Sequence, residues 1–253
     1  MDIATVLGIF IAFAALFGPI IAQGTLELYI DALSILIVFV GAFAATLASY
    51  TLSDMINLFS VTKNAFFTKP VDESRIIDSM VDLGEKARRE GILALEREMG
   101  RIDDPFMKKA VQLAVDGNEP EVIENVMANE IDNLVERHKT GKSMYDALAS
   151  YGPAYGMAAT VIGLIAMLEA LDDPANLGAG MALALITTFY GSLLANAIAI
   201  PLSTKLERRS KIEVNVKNMI LFGVLSIHSG DNPRVTRDKL ETFVAPKFRK
   251  GNN

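Results

Sequence analysis

The sequence predicts an all-α integral membrane protein with four transmembrane helices in a two-plus-two layout, a helical cytoplasmic insertion between the pairs, and a helical C-terminal tail. Three observations predict it. Of 253 residues, 51% are hydrophobic while 21% are charged, a mixture that suits a membrane protein with a soluble part better than a globular enzyme. Four stretches are long and apolar enough to cross a bilayer, which takes about 20 residues of helix, and none of them contains Lys or Arg. The cations gather elsewhere: thirteen of the twenty-four Lys and Arg lie between Thr51 and Gly152, and the other eleven follow Leu202.

The first span runs over Ile3–Ala22. An acidic residue precedes it and no Lys or Arg does, unlike the basic start of a cleaved leader, so the segment is expected to be retained. The connector QGTLELYID follows, with acids and no basic residue, and the second span covers Ala32–Tyr50. In the insertion, Ile76, Ile77, Met80, Val81 and Gly84 recur at helical spacing, with Lys86, Arg88 and Arg89 after them. Runs from Pro105 to Val115 and from Pro120 to His138 each begin at a proline, a common first helical residue, and Gly91, Gly100 and Gly117 punctuate the series. The third span is read as Pro153–Leu171, the connector after it (DDPAN) again lacks cations, and the fourth span is Gly178–Leu202. Past Pro201 the helix is expected to continue, with Leu206, Val216, Ile220 and Val224 on one side.

Cation-free connectors outside and basic residues just after Leu202 put both termini in the cytoplasm by the positive-inside rule. The long insertion carries less of that inference, since long segments cross regardless of charge. The domain plan is therefore 1–50 as spans one and two, 51–152 as a cytoplasmic helical region, 153–202 as spans three and four, and 203–253 as a cytoplasmic extension and tail.

Several chemistries are excluded. With no cysteine there are no disulfides, thiolate metal sites or cysteine nucleophiles. His138 and His228 stand far apart outside any ligand-spaced cluster, so no zinc site is expected. A net charge of −6 argues against a nucleic-acid partner. The glycine pattern LGAGM (Leu177–Met181) opens a span instead of following a strand, so it is not read as a nucleotide loop, and no enzyme activity or resident cofactor is expected.

What the spans lack is informative. Ionisable side chains inside a membrane mark ion paths, and these spans have none in their middles; Glu169 lies at the interface. If ions pass, another chain must supply the carboxylate. Spans three and four offer it room: Gly156, Thr160, Gly163 and Met167 form one stripe at helical spacing, and Gly180, Ala184, Thr188, Gly191 and Ala195 another. Small residues let helix backbones approach closely in lipid, so Gly156, Gly163, Ala184 and Gly191 are expected to pack against a partner helix, although the same stripes suit packing within one bundle. Spans one and two are bulkier (Ile9, Phe10, Phe13, Phe17; Ile35, Leu36, Phe39) and are read as the lipid-facing outer wall. Thr160, Thr187 and Thr188 are the candidates for polar contact with an ion, but such threonines also bond the carbonyl one turn back and merely bend the helix. Pro153 and Pro201 fall near the cytoplasmic face, the first either opening a helix or forming a hinge, the second a hinge where a span leaves the membrane.

These residues carry a resemblance. DALSILIV (Asp31–Val38), ARREGILALERE (Ala87–Glu98), GPAYGMAATVIGLIAML (Gly152–Leu168), MALALITTFYG (Met181–Gly191) and GVLSIHSGDNPRV (Gly223–Val235) resemble the flagellar motor stator A subunits, the MotA/PomA family, and its PomA-like branch in particular. The resemblance covers nearly the whole chain. It implies a homopentamer around a MotB/PomB-type B subunit that supplies the transmembrane Asp, with torque applied to the rotor protein FliG. The family's rotor-contacting arginine and glutamate fall on Arg88 and Glu96, with Arg89 and Glu98 beside them; Arg97 among the acids departs from a plain acidic patch. Its prolines near the ion gate fall on Pro153 and Pro201, and its channel threonines on Thr160 and Thr188, with Thr187 adjacent. Threonine at position 160 is the residue usual in sodium-type members, which favours Na+ over H+. The neighbouring ExbB/TolQ energy-transducing channels have three spans and an outside N-terminus, against four spans and an inside N-terminus here.

Overall fold

The computed structural model describes residues 3–67, 72–169, 174–246 and 249, and among these every regular element is helical. The predicted end of the third span at Leu171 and the acids of the connector after it lie outside the described residues. The helices include four that are long and apolar enough to cross a membrane. The chain divides into two compact units, Met1–Lys69 with His138–Arg208, and Pro70–Arg137 with Arg209–Asn253.

In the first unit, α1 (Ile3–Ala22) has no residue buried within this chain, although its side chains are apolar nearly all round. It stops in a Schellman motif. Gly24, at φ +69, donates to Ile21 O and Thr25 N–H donates to Ile20 O at 3.3 Å, pairing carbonyls that the helix leaves orphaned. After a 3-10 turn (Leu26–Tyr29), Asp31 caps α2 (Ala32–Ile35) by accepting from Ser34 N–H at 2.7 Å. A π-helical stretch, Leu36–Val40, leads into α3 (Gly41–Ser49). Of the residues read as lipid-facing, Phe10, Ile35 and Leu36 are exposed in this chain, whereas Phe17 and Phe39 turn inward and pack on Phe189 and Tyr190. Thr51 and Asp54 form a capping box that starts α4 (Leu52–Phe66). α4 rests against the downstream helix through Ala65 and Tyr145, with the Tyr145 and Thr62 hydroxyls bonded to each other.

The second unit is built from amphipathic helices. Asp72 caps α5 (Glu73–Glu90), and its predicted stripe is realised: Ile77, Met80, Val81 and Gly84 are buried, with Ile76 partly so. Gly91, at φ +87, ends α5 in a conformation that L side chains rarely adopt. A 3-10 segment, Ile92–Arg101, follows, then α6 (Pro105–Val115), whose cap Asp104 accepts from Met107 N–H at 2.8 Å. The core joins Met80, Leu95, Phe106, Val111, Ile123 and Met127 to Val216, Met219, Ile220 and Val224. Leu206, assigned by sequence to the same stripe, belongs to the first unit's cluster instead.

α7 runs unbroken over Pro120–Glu169, a length of 50 residues. The sequence divides it into a soluble helix and a span opening at Pro153, so this is a correction: Pro153 lies inside a helix, not at its first turn. The stretch read as the fourth span takes in α8 (Pro174–Leu193), a π-helical stretch (Leu194–Ala199) and the start of α9 (Ile200–His228). α10 (Pro233–Glu241) closes the fold.

Candidate functional site

The first candidate site lies where α7 and α8 meet. Their glycines allow backbone-to-backbone contact. A Cβ at Gly163 would stand 2.7 Å from Gly180 O, one at Gly156 2.9 Å from Thr187 O, and one at Gly191 2.7 Å from Gly152 O. No side chain fits at those distances, so the small residues are required by the helix pair itself. The packing that sequence assigned to a partner helix through Gly156, Gly163, Ala184 and Gly191 is, within this chain, exercised between α7 and α8.

That close approach brings Thr160 and Thr188 together. The Thr160 hydroxyl lies 2.6 Å from that of Thr188, 2.9 Å from Gly156 O and 3.1 Å from Ala184 O; Thr188 also lies 3.1 Å from Ala184 O. Thr160 bonds the carbonyl one turn back, as such threonines commonly do, and its hydroxyl also reaches across to α8. Each hydroxyl has one hydrogen and two lone pairs, so the pair leaves oxygen lone pairs over at a partly open surface, Thr188 being exposed and Thr160 half-buried. Thr187 differs. It is fully buried and its hydroxyl turns to its own helix, 2.8 Å from Leu183 O and 3.1 Å from Ala184 O.

Each of the two prolines removes one backbone donor from its helix. Pro153 donates no bond inside α7, and its Cα would stand 3.1 Å from a Cβ at Gly191. Pro201 is the second residue of α9, directly after the π-helical stretch, whose wider turns accommodate a missing backbone bond. Toward the chain's charged segments, Asp146 of α7 accepts from Ser203 of α9 at 2.5 Å and from Lys142 at 2.7 Å, and Lys142 is 3.7 Å from Glu207. Sequence reasoning missed this cross-link, as it missed the bond from the Tyr190 hydroxyl to Tyr29 O. Pairs so distant in sequence leave no local signal.

The second candidate site is the end of α5. Arg88 and Arg89 occupy its last turn and are exposed, and after the glycine stop the 3-10 segment buries Leu95 and Met99 while leaving Glu96 and Arg97 outside. Arg89 pairs with Glu85 at 3.6 Å. Glu98 is placed differently: it holds Lys86 at 2.7 Å and Arg101 at 3.0 Å. The Lys86 ammonium bonded to it holds its carboxyl below the usual range. Glu98 thus ties the segment to α5, while Arg88, Arg89, Glu96 and Arg97 are exposed. Among the described residues no three His, Asp or Glu side chains cluster as a metal site would require.

The chain is similar to known proteins over nearly its whole length. A family model described as the MotA/TolQ/ExbB proton channel family matches residues 98–219. Motility protein A of Borreliella burgdorferi is 42% identical to the chain, over 98% of this chain and 96% of its own length. Chemotaxis protein PomA of Vibrio alginolyticus is 36% identical, over 96% of each. The solved flagellar MotAB stator complex of Bacillus subtilis contains a chain similar in fold at a TM-score of 0.89 and 30% identity, covering 96% of each chain.

Proposed function

Because the chain belongs to the MotA/TolQ/ExbB proton channel family, as a MotA-type subunit of a flagellar stator, we propose that it forms the ring through which ion flow is converted to torque. In this reading five copies surround a MotB/PomB-type B subunit in the bacterial inner membrane, with both termini in the cytoplasm. The B subunit supplies the transmembrane Asp that binds the ion.

The observation that carries the reading is the chemistry of the spans. Their middles hold no Asp, Glu, His, Lys or Arg, while Thr160 and Thr188 present hydroxyl oxygens beside each other on α7 and α8. An Asp placed mid-membrane costs roughly 2.5–3.5 kcal/mol, and hydroxyls offset part of that cost without adding a competing charge. The ion neutralises the Asp beside Thr160 and Thr188 and leaves past the level of Pro153 and Pro201. Charging and discharging the Asp alters which packing of the ring is favoured, and the ring steps around the B subunit. A membrane potential contributes about 2.3 kcal/mol per charge per 100 mV, enough to bias each step. Arg88, Arg89 and Glu96 then act on the rotor protein FliG through exposed ion pairs worth about 0–1 kcal/mol each, weak enough to break at every step.

Na+ is favoured over H+ by Thr160. An ExbB/TolQ-type energy-transducing role is the second reading; the four apolar helices and likeness to motility proteins over nearly the whole length disfavour it. The test is complementation. Expressed with its B subunit in a strain lacking stators, the chain restores swimming in sodium buffer and loses it when potassium replaces sodium. Swimming that survives the exchange reassigns the ion to H+; no swimming in either buffer overturns the reading.

A further inference from the structure

The ion path and the rotor-facing residues leave Gly223–Val235 without a role, and its geometry assigns one. α9 ends in a Schellman motif at Gly230 (φ +74), with Gly230 N–H donating to Ile227 O at 3.0 Å and Asp231 N–H to Ser226 O at 3.1 Å. α10 then starts at Pro233, with the Asn232 side chain accepting from Arg234 N–H at 3.0 Å. Side chains lock the turn. The Ser226 hydroxyl donates to Asp231 Oδ2 at 2.5 Å, Lys239 Nζ donates to the same oxygen at 2.6 Å, and Ser226 shares a buried 3.0 Å bond with Thr236.

The helix held in this way lies on α5. Arg237 donates to Asp78 Oδ1 at 2.9 Å, a contact spanning 159 positions of sequence. Met80, fully buried, fills the space that Gly223 leaves open: a Cβ there would stand 3.1 Å from Met80 Sδ and 3.5 Å from Leu240. Asp78 precedes Arg88 by about 15 Å along the same helix, at 1.5 Å of rise per residue, so a load on the end of α5 is transmitted directly to this contact.

We propose that the locked α9–α10 turn is a brace that fixes the direction of α5 under load, with Asp78 and Arg237 as positioning residues for the rotor-facing end. The inference rests on the reading of Arg88, Arg89 and Glu96 as that end. It predicts that weakening the brace separates torque from ion conduction.

The test compares Asp78→Ala, Arg237→Ala and the exchanged pair D78R/R237D in motile cells and in the purified complex with the B subunit. Stall torque, ion conduction and hydrogen exchange across residues 85–101 are measured. Each single variant lowers stall torque and speeds exchange about threefold, the scale of a half-exposed ion pair, while conduction stays at the parent level; the exchanged pair restores both. Unchanged exchange in both single variants overturns the brace, as does an equal loss of torque and conduction that the exchanged pair does not restore. Faster exchange with full torque, in these variants and in Arg88→Ala, supports the brace and overturns the rotor-facing reading.

Discussion

The hydroxyl of Thr160 on α7 lies 2.6 Å from the hydroxyl of Thr188 on α8. Two helices that otherwise meet through glycine backbones thus also share a polar contact, in a stretch of both that holds no Asp, Glu, His, Lys or Arg. In the proposed function, this pair is what a visiting carboxylate or a dehydrated cation would meet.

Thr188→Ala removes one hydroxyl, while the single Thr160 hydroxyl hydrogen keeps Gly156 O and Ala184 O as acceptors within reach. The fold therefore loses only about 1 kcal/mol, and the protein accumulates in the membrane normally. Swimming speed and ion flux fall together. Normal speed at every load counts against the threonine pair as the ion-facing site.

Gly163→Ala places a methyl 2.7 Å from Gly180 O and 2.8 Å from Ala184 N, both backbone atoms that cannot yield without separating the helices. Overpacking of this kind costs about 1–3 kcal/mol, read as a lower melting temperature of the detergent-purified complex. Gly178→Ala is the control. Its added Cβ meets nothing within 4 Å, and on a helix alanine is favoured by up to about 1 kcal/mol, so that variant melts at or above the parent temperature.

The long apolar helices, the proline starts and two of the glycine stops were legible because each has a local cause. Apolar runs without cations read as spans, Pro105 and Pro120 open helices, and Gly91 and Gly117 sit where φ turns positive, whereas the caps Asp72, Asp104 and Asn232 went unnamed. Pro153 was not legible as a mid-helix residue, because a helix crosses a proline only when packing, here against Gly191, compensates for the lost bond. The glycine stripes were legible as close-packing surfaces but not as surfaces that pack on each other. Thr160 and Thr188 were named from the sequence, yet their contact, and the separate fate of Thr187, depends on how α7 and α8 are rotated. The Asp78–Arg237 tie had no signal in either residue's neighbourhood.

Pro201→Ala restores a backbone donor one residue beyond the start of α9, directly after the π-helical stretch. If that level is the hinge, the variant complex melts higher and turns the motor more slowly, because the bent conformation costs more to reach. A variant that swims at parent speed removes the hinge from the account.

The Lys239 ammonium and the Ser226 hydroxyl hold the Asp231 carboxyl below the usual range of about 3.9. A depressed folded pKa stabilises the fold above the unfolded value, and that contribution is lost as pH falls through the lower, folded value. Asp231→Asn therefore lowers stability at neutral pH, by up to about 1 kcal/mol for a partly exposed pair, and flattens the acid limb of a melting-temperature profile. An unaltered acid limb shows that the carboxylate contributes nothing to the turn.

The central claim is that these four helices enclose an ion-binding group that they do not themselves possess. Voltage-driven cation uptake into liposomes tests it most directly, with the purified chain alone and with the chain reconstituted together with its B subunit. The account predicts no flux above empty liposomes for the chain alone and robust flux for the pair. Full-rate flux through the chain alone would contradict it.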